Sequence, residues 1–92
     1  MTQAQAELFA TEILGWLAGD HARICAFLAT TGMTPDALRG AAGEPAFLLA
    51  VIDFLMADEA LLLACCAALD APATMPAAAR AALPGGATVH WT

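Results

Sequence analysis

The longest apolar run in the chain covers Ala46–Leu69 and carries only three charged residues, Asp53, Asp58 and Glu59, all of them acidic. A run of this length could cross a bilayer, which takes about 20 apolar residues. Each carboxylate near the centre of such a span would cost about 2.5–3.5 kcal/mol to insert, and no lysine or arginine directly flanks the run to anchor it. The pattern therefore predicts a helical hairpin in a protein core and no contact with a membrane.

The three acids also predict where this hairpin turns. At 3.6 residues per turn, Asp53 shares a narrow strip of the first helix with alanines, and this strip can face water. If the same helix continued, Asp58 and Glu59 would lie on its large apolar faces, which is unfavourable for unpaired charges. We therefore predict a break at Ala57, with Asp58 capping a further helix and Glu59 in its first turn. One unbroken helix over Pro45–Leu69 is the alternative.

The N-terminal part of the chain predicts two amphipathic helices. The first begins after Thr2, whose hydroxyl can cap the helix while Gln5 reaches back, and it runs to about Ala18. The second begins after Asp20 and ends at Thr31–Gly32. The apolar faces predicted to be buried consist of Ala6, Phe9, Ala10, Ile13, Trp16 and Leu17 in the first helix and of Ile24, Phe27 and Leu28 in the second.

A third, short helix is predicted from Pro35 to Gly43. Thr34 can cap it, Pro35 suits the first helical position, and the carboxylate of Asp36 interacts favourably with the helix dipole. Asp36 and Arg39 are spaced to form an ion pair across one turn. A second proline, two residues after the end of this helix, then starts the apolar hairpin.

The C-terminal end differs in composition from the rest of the chain. Ala71–Pro84 is rich in alanine and proline and offers one short helix over Pro76–Leu83. The tail Gly85–Thr92 has the composition of a mobile terminus, although docking of Trp91 on the body would remove its ring from water. We therefore divide the chain into a helical domain, residues 1–70, and a C-terminal segment, residues 71–92. The predicted fold class is all-α, a compact bundle of about five short helices.

Charge and hydrophobicity narrow the classes of partner. The chain has nine acidic residues, three arginines and no lysine, for a net charge of −6, so nucleic acids and anionic lipid surfaces should repel it. Of its 92 residues 61% are hydrophobic, more than a small bundle easily buries, which favours a protein partner or a homodimer. The residues we place on a candidate interaction surface are Trp16, Met33, Arg39, Asp53, Met56 and Trp91.

The cysteines and histidines provide only weak candidates for a metal or redox site. His21 and Cys25 are four residues apart and could both reach one ion, but two ligands do not make a metal site. We interpret Cys25 as a buried thiol and the pair Cys65–Cys66 as small hydrophobic core residues of a reducing compartment. The N-terminus lacks a basic region before an apolar core, so no secretory signal is predicted. We expect no metal, no cofactor and a cytoplasmic location.

The candidates for chemistry also have structural interpretations. Asp53, Asp58 and Glu59 could form a carboxylate cluster for acid–base work or cation binding. On the broken-helix interpretation they have separate roles, with Asp53 in solvent, and Arg23 or Arg39 could pair with one of them. The two short helices before residue 43 superficially resemble a helix-turn-helix, but the second carries one arginine and no Asn, Gln or Lys to read base edges. We expect no enzyme activity.

Two motifs carry a resemblance to a known family. Thr31–Arg39 reads Thr-Gly-x-x-Pro-x-x-Leu-Arg, and Asp53–Glu59 reads Asp-Phe-Leu-x-x-Asp-Glu. On these motifs the chain resembles the small bacterial family catalogued as domain of unknown function 3572, over roughly Glu7–Leu69. The resemblance implies a compact helical domain of a bacterial cytoplasm, with no assigned activity and no catalytic residues to transfer. The alanine-rich end departs from it.

Together these observations favour a small acidic helical protein that acts as a protein-interaction or self-association module. The alternative is a binder of a small apolar or cationic ligand between the core helices, with Trp16, Met33 and Met56 as adaptable liners.

Overall fold

The computed structural model describes residues 1–85, and these fold into α-helices joined by short turns. There are six helices in this part of the chain, one more than predicted, and no strand. The additional helix forms in the alanine-rich segment, close to the short helix that the sequence offered over 76–83. The helices are α1 Gln3–Ala18, α2 His21–Thr31, α3 Pro35–Ala41, α4 Pro45–Met56, α5 Glu59–Ala68 and α6 Met75–Ala82.

The predicted caps start the first three helices. The Thr2 hydroxyl accepts a hydrogen bond from the backbone N–H of Gln5 at 3.1 Å, and the Gln5 side chain accepts one from the backbone N–H of Thr2 at 2.8 Å. The Asp20 carboxylate accepts from two N–H groups of α2, and the Thr34 hydroxyl accepts from the N–H of Ala37. Each cap satisfies donors that a helix start leaves without partners, so these boundaries are set locally.

The ends of α2 and α3 follow different rules. Gly32 closes α2 in the left-handed conformation, with φ of 74°, a region that residues with a Cβ rarely adopt. The third helix ends at Ala41 and not at Gly43 as predicted. Ala42 keeps right-handed helical angles, so α3 ends without a left-handed residue, and the Ala41 carbonyl accepts from the N–H of Glu44 at 2.8 Å.

The apolar hairpin breaks at Ala57, as predicted. The N–H of Ala57 bonds to the carbonyls of Asp53 and Leu55, which closes the last turn of α4. The carboxylate of Asp58 then accepts from the N–H of Leu61 at 3.1 Å and opens α5. The break takes both acids at the hairpin turn out of the apolar faces, so the alternative of one unbroken helix is wrong.

Helices α1 and α4 form the centre of the core. They pack on each other, α2 and α6 each pack on both, and α5 makes its principal contact with α4. Phe27 of α2 is fully buried and meets Phe47 and Phe54 of α4 edge to face, with ring centres 5.8 Å and 5.3 Å apart. The buried apolar residues are Ala6, Phe9, Ala10, Ile13, Leu17, Phe27, Phe47, Leu48, Val51, Ile52, Leu55, Cys65, Cys66, Ala79 and Leu83.

Residues 71–85, which the sequence analysis sets apart from 1–70, contribute to the same core. Ala79 and Leu83 are buried within it, and Pro76 is buried at the start of α6. Arg80 donates from Nε to the Asp53 carboxylate at 2.5 Å, which links α6 to the outer strip of α4. The predicted mobile tail and Trp91 lie outside the described residues, apart from Gly85.

The capping of α5 leads to a test of stability. We expect Asp58→Ala to lower the free energy of unfolding by about 0.5–2 kcal/mol, because the N–H of Leu61 loses its partner. Glu44→Ala is the matched control: Glu44 occupies the same position before α4, but its side chain makes no cap hydrogen bond. Both changes remove one negative charge. Urea unfolding followed by circular dichroism should separate the two variants; equal losses would show that the cap does not stabilise α5.

Candidate interaction groove

A solvent-open depression of about 330 Å³ lies between the first half of α1 and the start of α6. Its walls are mainly apolar, with two polar side chains at the α1 edge. We call it the α1/α6 groove, and it is lined by Met1, Gln5, Leu8, Phe9, Glu12 and Met75.

The helical period of α1 explains how the groove forms. Gln5, Leu8 and Glu12 recur every three to four residues, so they lie along one side of the helix. Phe9 adjoins this row but turns into the core and is only 5% exposed, so it forms the floor. Leu8 remains 62% exposed, the highest value among the large hydrophobic residues that are exposed in the described part of the chain. The groove therefore presents leucine to water above an aromatic floor.

This surface was not predicted from the sequence. The apolar face predicted for the first helix does not include Leu8. An available signal was this leucine between Glu7 and Glu12, since a large apolar residue in an acidic sector has no core to enter. Met75 could not be placed beside α1 from the sequence, because that contact depends on the packing of α6.

The groove has one acidic side chain in its lining and belongs to an acidic protein. Glu12 lines it, and Glu7 precedes Leu8 on α1, where its carboxylate accepts from the amide of Gln3 at 3.0 Å. The chain as a whole has a net charge of −6. A cationic group at the groove would therefore be attracted, and an anionic one repelled.

The residues predicted for an interaction surface lie on several elements. Trp16 of α1, which was predicted on the buried face, is half-buried, and the Arg23 guanidinium stacks on its ring 3.8 Å from the ring centre. Met33 is partly buried in the turn before α3, and Met56 is 38% exposed at the end of α4. Trp91 lies outside the described residues.

The two charged members of that set pair with other residues. Arg39 binds Asp36 on α3, as predicted. Asp53 is exposed, as predicted, but its partner is Arg80 and neither Arg23 nor Arg39. This partner could not be identified from the sequence, because Arg80 reaches α4 only once α6 has packed against it. Since Asp53 binds Arg80 and Asp58 caps α5, the acids of the hairpin have separate structural roles.

The three cysteines occupy two kinds of environment. Cys65 and Cys66 are buried, as predicted. Burial raises the pKa of the Cys65 thiol to about 11, with a further contribution from Cys66, and burial also raises the pKa of Cys66. Cys25 is exposed, so its predicted burial was wrong. It lies two residues before Phe27, hence on the opposite side of α2 from that core residue.

Metal binding and membrane crossing can be addressed for residues 1–85 only. No group of three or more His, Cys, Asp or Glu side chains is arranged there to hold a metal ion. His21 and Cys25 do come together, but as a pair. No helix of the same region has the length and apolar character needed to traverse a bilayer.

The family model described as Protein of unknown function (DUF3572) matches residues 3–86 of the 92-residue chain. The chain belongs to this family. The DUF3572 match confirms the resemblance seen in the two motifs and extends it to both ends of the helical fold, so α1 and α6 lie within the family region. A comparison with curated proteins and with solved structures finds no significant match to either.

The buried thiols predict how stability depends on pH. The pKa of Cys65 rises from its ordinary 9.0 to about 11 in the folded protein, so the folded state keeps its proton where the unfolded chain loses it. The contribution of Cys65 to stability is therefore fully present below about pH 9 and is lost between pH 9 and 11, by about 2–3 kcal/mol for a shift of this size. The chain has no tyrosine and no lysine to titrate in this window.

Urea unfolding under reducing conditions at a series of pH values measures this slope. Cys65→Ala should make this slope shallower, because the variant lacks the buried thiol whose pKa is raised in the folded state. If the slope of stability against pH is the same in Cys65→Ala as in the unmodified protein, the loss of stability cannot be assigned to the Cys65 thiol.

Proposed function

We propose that this DUF3572 protein is a protein-interaction module whose α1/α6 groove binds an amphipathic helix with basic flanks on a partner protein. The observation that carries the proposal is the exposure of Leu8 beside Met1 and Met75, above the Phe9 floor. Helix-in-groove recognition works by inserting apolar side chains spaced three to four residues apart into such a depression. We further propose that it acts in a bacterial cytoplasm and without catalytic chemistry.

The shape of the groove supports a protein occupant. Small-molecule sites are concave and bury about 70–90% of their ligand. The α1/α6 groove is open to solvent and bounded by two helices, so it can cover one side of an inserted side chain and leave the rest to a partner's own helix. This argues for a helix rather than for the alternative of a small ligand enclosed between the core helices.

Charge supports a basic partner over a second copy of this chain. A second copy would also carry a net charge of −6, and a symmetric contact through this groove would bring equivalent Glu12 side chains toward each other. Lysine or arginine flanking the inserted apolar residues would instead meet the Glu12 carboxylate in the groove lining and the net negative charge of the chain.

Two synthetic peptides test the proposal. Both form amphipathic helices with the same leucines, but one carries lysine and the other glutamate at the flanking positions. In an NMR titration we expect the lysine peptide to shift the amide signals of Leu8, Phe9, Glu12 and Met75, and the glutamate peptide to leave them in place. Binding of the lysine peptide should also weaken as salt is added, since the charges involved are exposed.

The chain provides a matched pair of variants for the same titration. Leu8→Ser should weaken binding of the lysine peptide about tenfold or more, because burying a leucine contributes about 1.5–3 kcal/mol. Leu63→Ser is the control, since Leu63 is also exposed, at 49%, but lies on α5 away from the groove lining.

Three outcomes would contradict the proposal. Equal losses in the two serine variants would show that the groove is not the binding surface. Equal shifts with both peptides would remove the charge argument. Sedimentation showing a dimer that Leu8→Ser dissociates would assign the groove to a second copy of the chain.

A further inference from the structure

A thiol and an imidazole meet on the surface of α2. Cys25 is exposed, and its Sγ lies 3.5 Å from Nε2 and 3.9 Å from Nδ1 of His21. Neither residue lines the α1/α6 groove. We propose that this pair is a thiol-modification site, at which Cys25 exchanges with small disulfides and His21 handles the proton.

The local structure holds the two side chains together. His21 is the first residue of α2, where the Asp20 cap fixes the turn, and residues four apart lie on the same side of a helix. Thiol and ring are therefore in contact only while this turn is helical. Both side chains remain open to solvent, so a small disulfide can approach the sulfur.

The rest of the chain makes the site selective. The other two cysteines, Cys65 and Cys66, are buried, and burial raises the pKa of both thiols. Thiolate is the attacking form in thiol–disulfide exchange. Cys65 and Cys66 form little thiolate, and a disulfide in solution cannot reach their buried sulfur atoms. The folded protein thus presents one reactive sulfur, with an imidazole beside it.

The exchange step is balanced without an added oxidant. The Cys25 thiol gives its proton to the unprotonated ring nitrogen of His21, and the thiolate attacks one sulfur of the small disulfide. A new S–S bond forms to Cys25 as the old S–S bond breaks, and the leaving thiolate takes the proton back from the imidazolium. The product is a mixed disulfide on α2 and one free small thiol.

The test uses the neutral reagent bis(2-hydroxyethyl) disulfide and intact-mass spectrometry of the folded, reduced full chain. We expect one adduct, mapped to Cys25, and none on Cys25→Ser. His21→Gln should slow formation of the adduct at least about threefold. This effect is smaller than the ~100-fold or more that general bases contribute in enzyme sites, because this pair is exposed to solvent. Ala22→Gln, an exposed change in the same turn, is the control and should leave the rate unchanged.

A second measurement separates a proton-handling role from a merely structural one. In guanidinium chloride the helix is lost, so the unmodified protein and His21→Gln should react at equal rates. Three findings would overturn the proposal: equal rates of these two proteins in the folded state, adducts that form on Cys65 or Cys66 of the folded chain as fast as on Cys25, or a disulfide-linked dimer in place of the mixed disulfide.

Discussion

Burial of the apolar hairpin is the interaction on which the other parts of this structure depend. Helix α4 is apolar around most of its circumference, so it has to be covered on several sides. Helices α1, α2, α5 and α6 provide that cover, and the edge-to-face contacts of Phe27 fix how α2 meets it. The acids of the hairpin lie at solvent-exposed positions, Asp53 on the outer strip of α4 and Asp58 at the cap of α5. Sequence and packing agree here at every level, as expected of a chain with one dominant fold.

The features that could be predicted from the sequence are local ones. A cap such as Thr2, Asp20 or Asp58 needs only its own turn, and Gly32 needs only its own backbone angles, so each boundary could be placed without knowing the tertiary structure. The break at Ala57 followed from the cost of unpaired charge on an apolar face.

The features that escaped prediction depend on contacts between distant segments. Arg80 became the partner of Asp53, and Met75 a wall of the groove, because α6 packs on α1 and α4. The sequence offered this alanine-rich helix within one residue of its position, but its weak periodic signal did not indicate which helices it packs on. The exposure of Cys25 could have been inferred from its angle to Phe27, but a cysteine in an apolar sequence is usually buried.

Helix α5 stands apart from the rest of the core, since it rests principally on α4 while the central helices each have several neighbours. Segments with few packing partners open locally at a lower free energy than the molecule as a whole. Cys65 and Cys66 are the buried residues of α5, so their thiols are the groups that a local opening of this helix would expose. The accessibility of these two thiols therefore reports how often α5 opens.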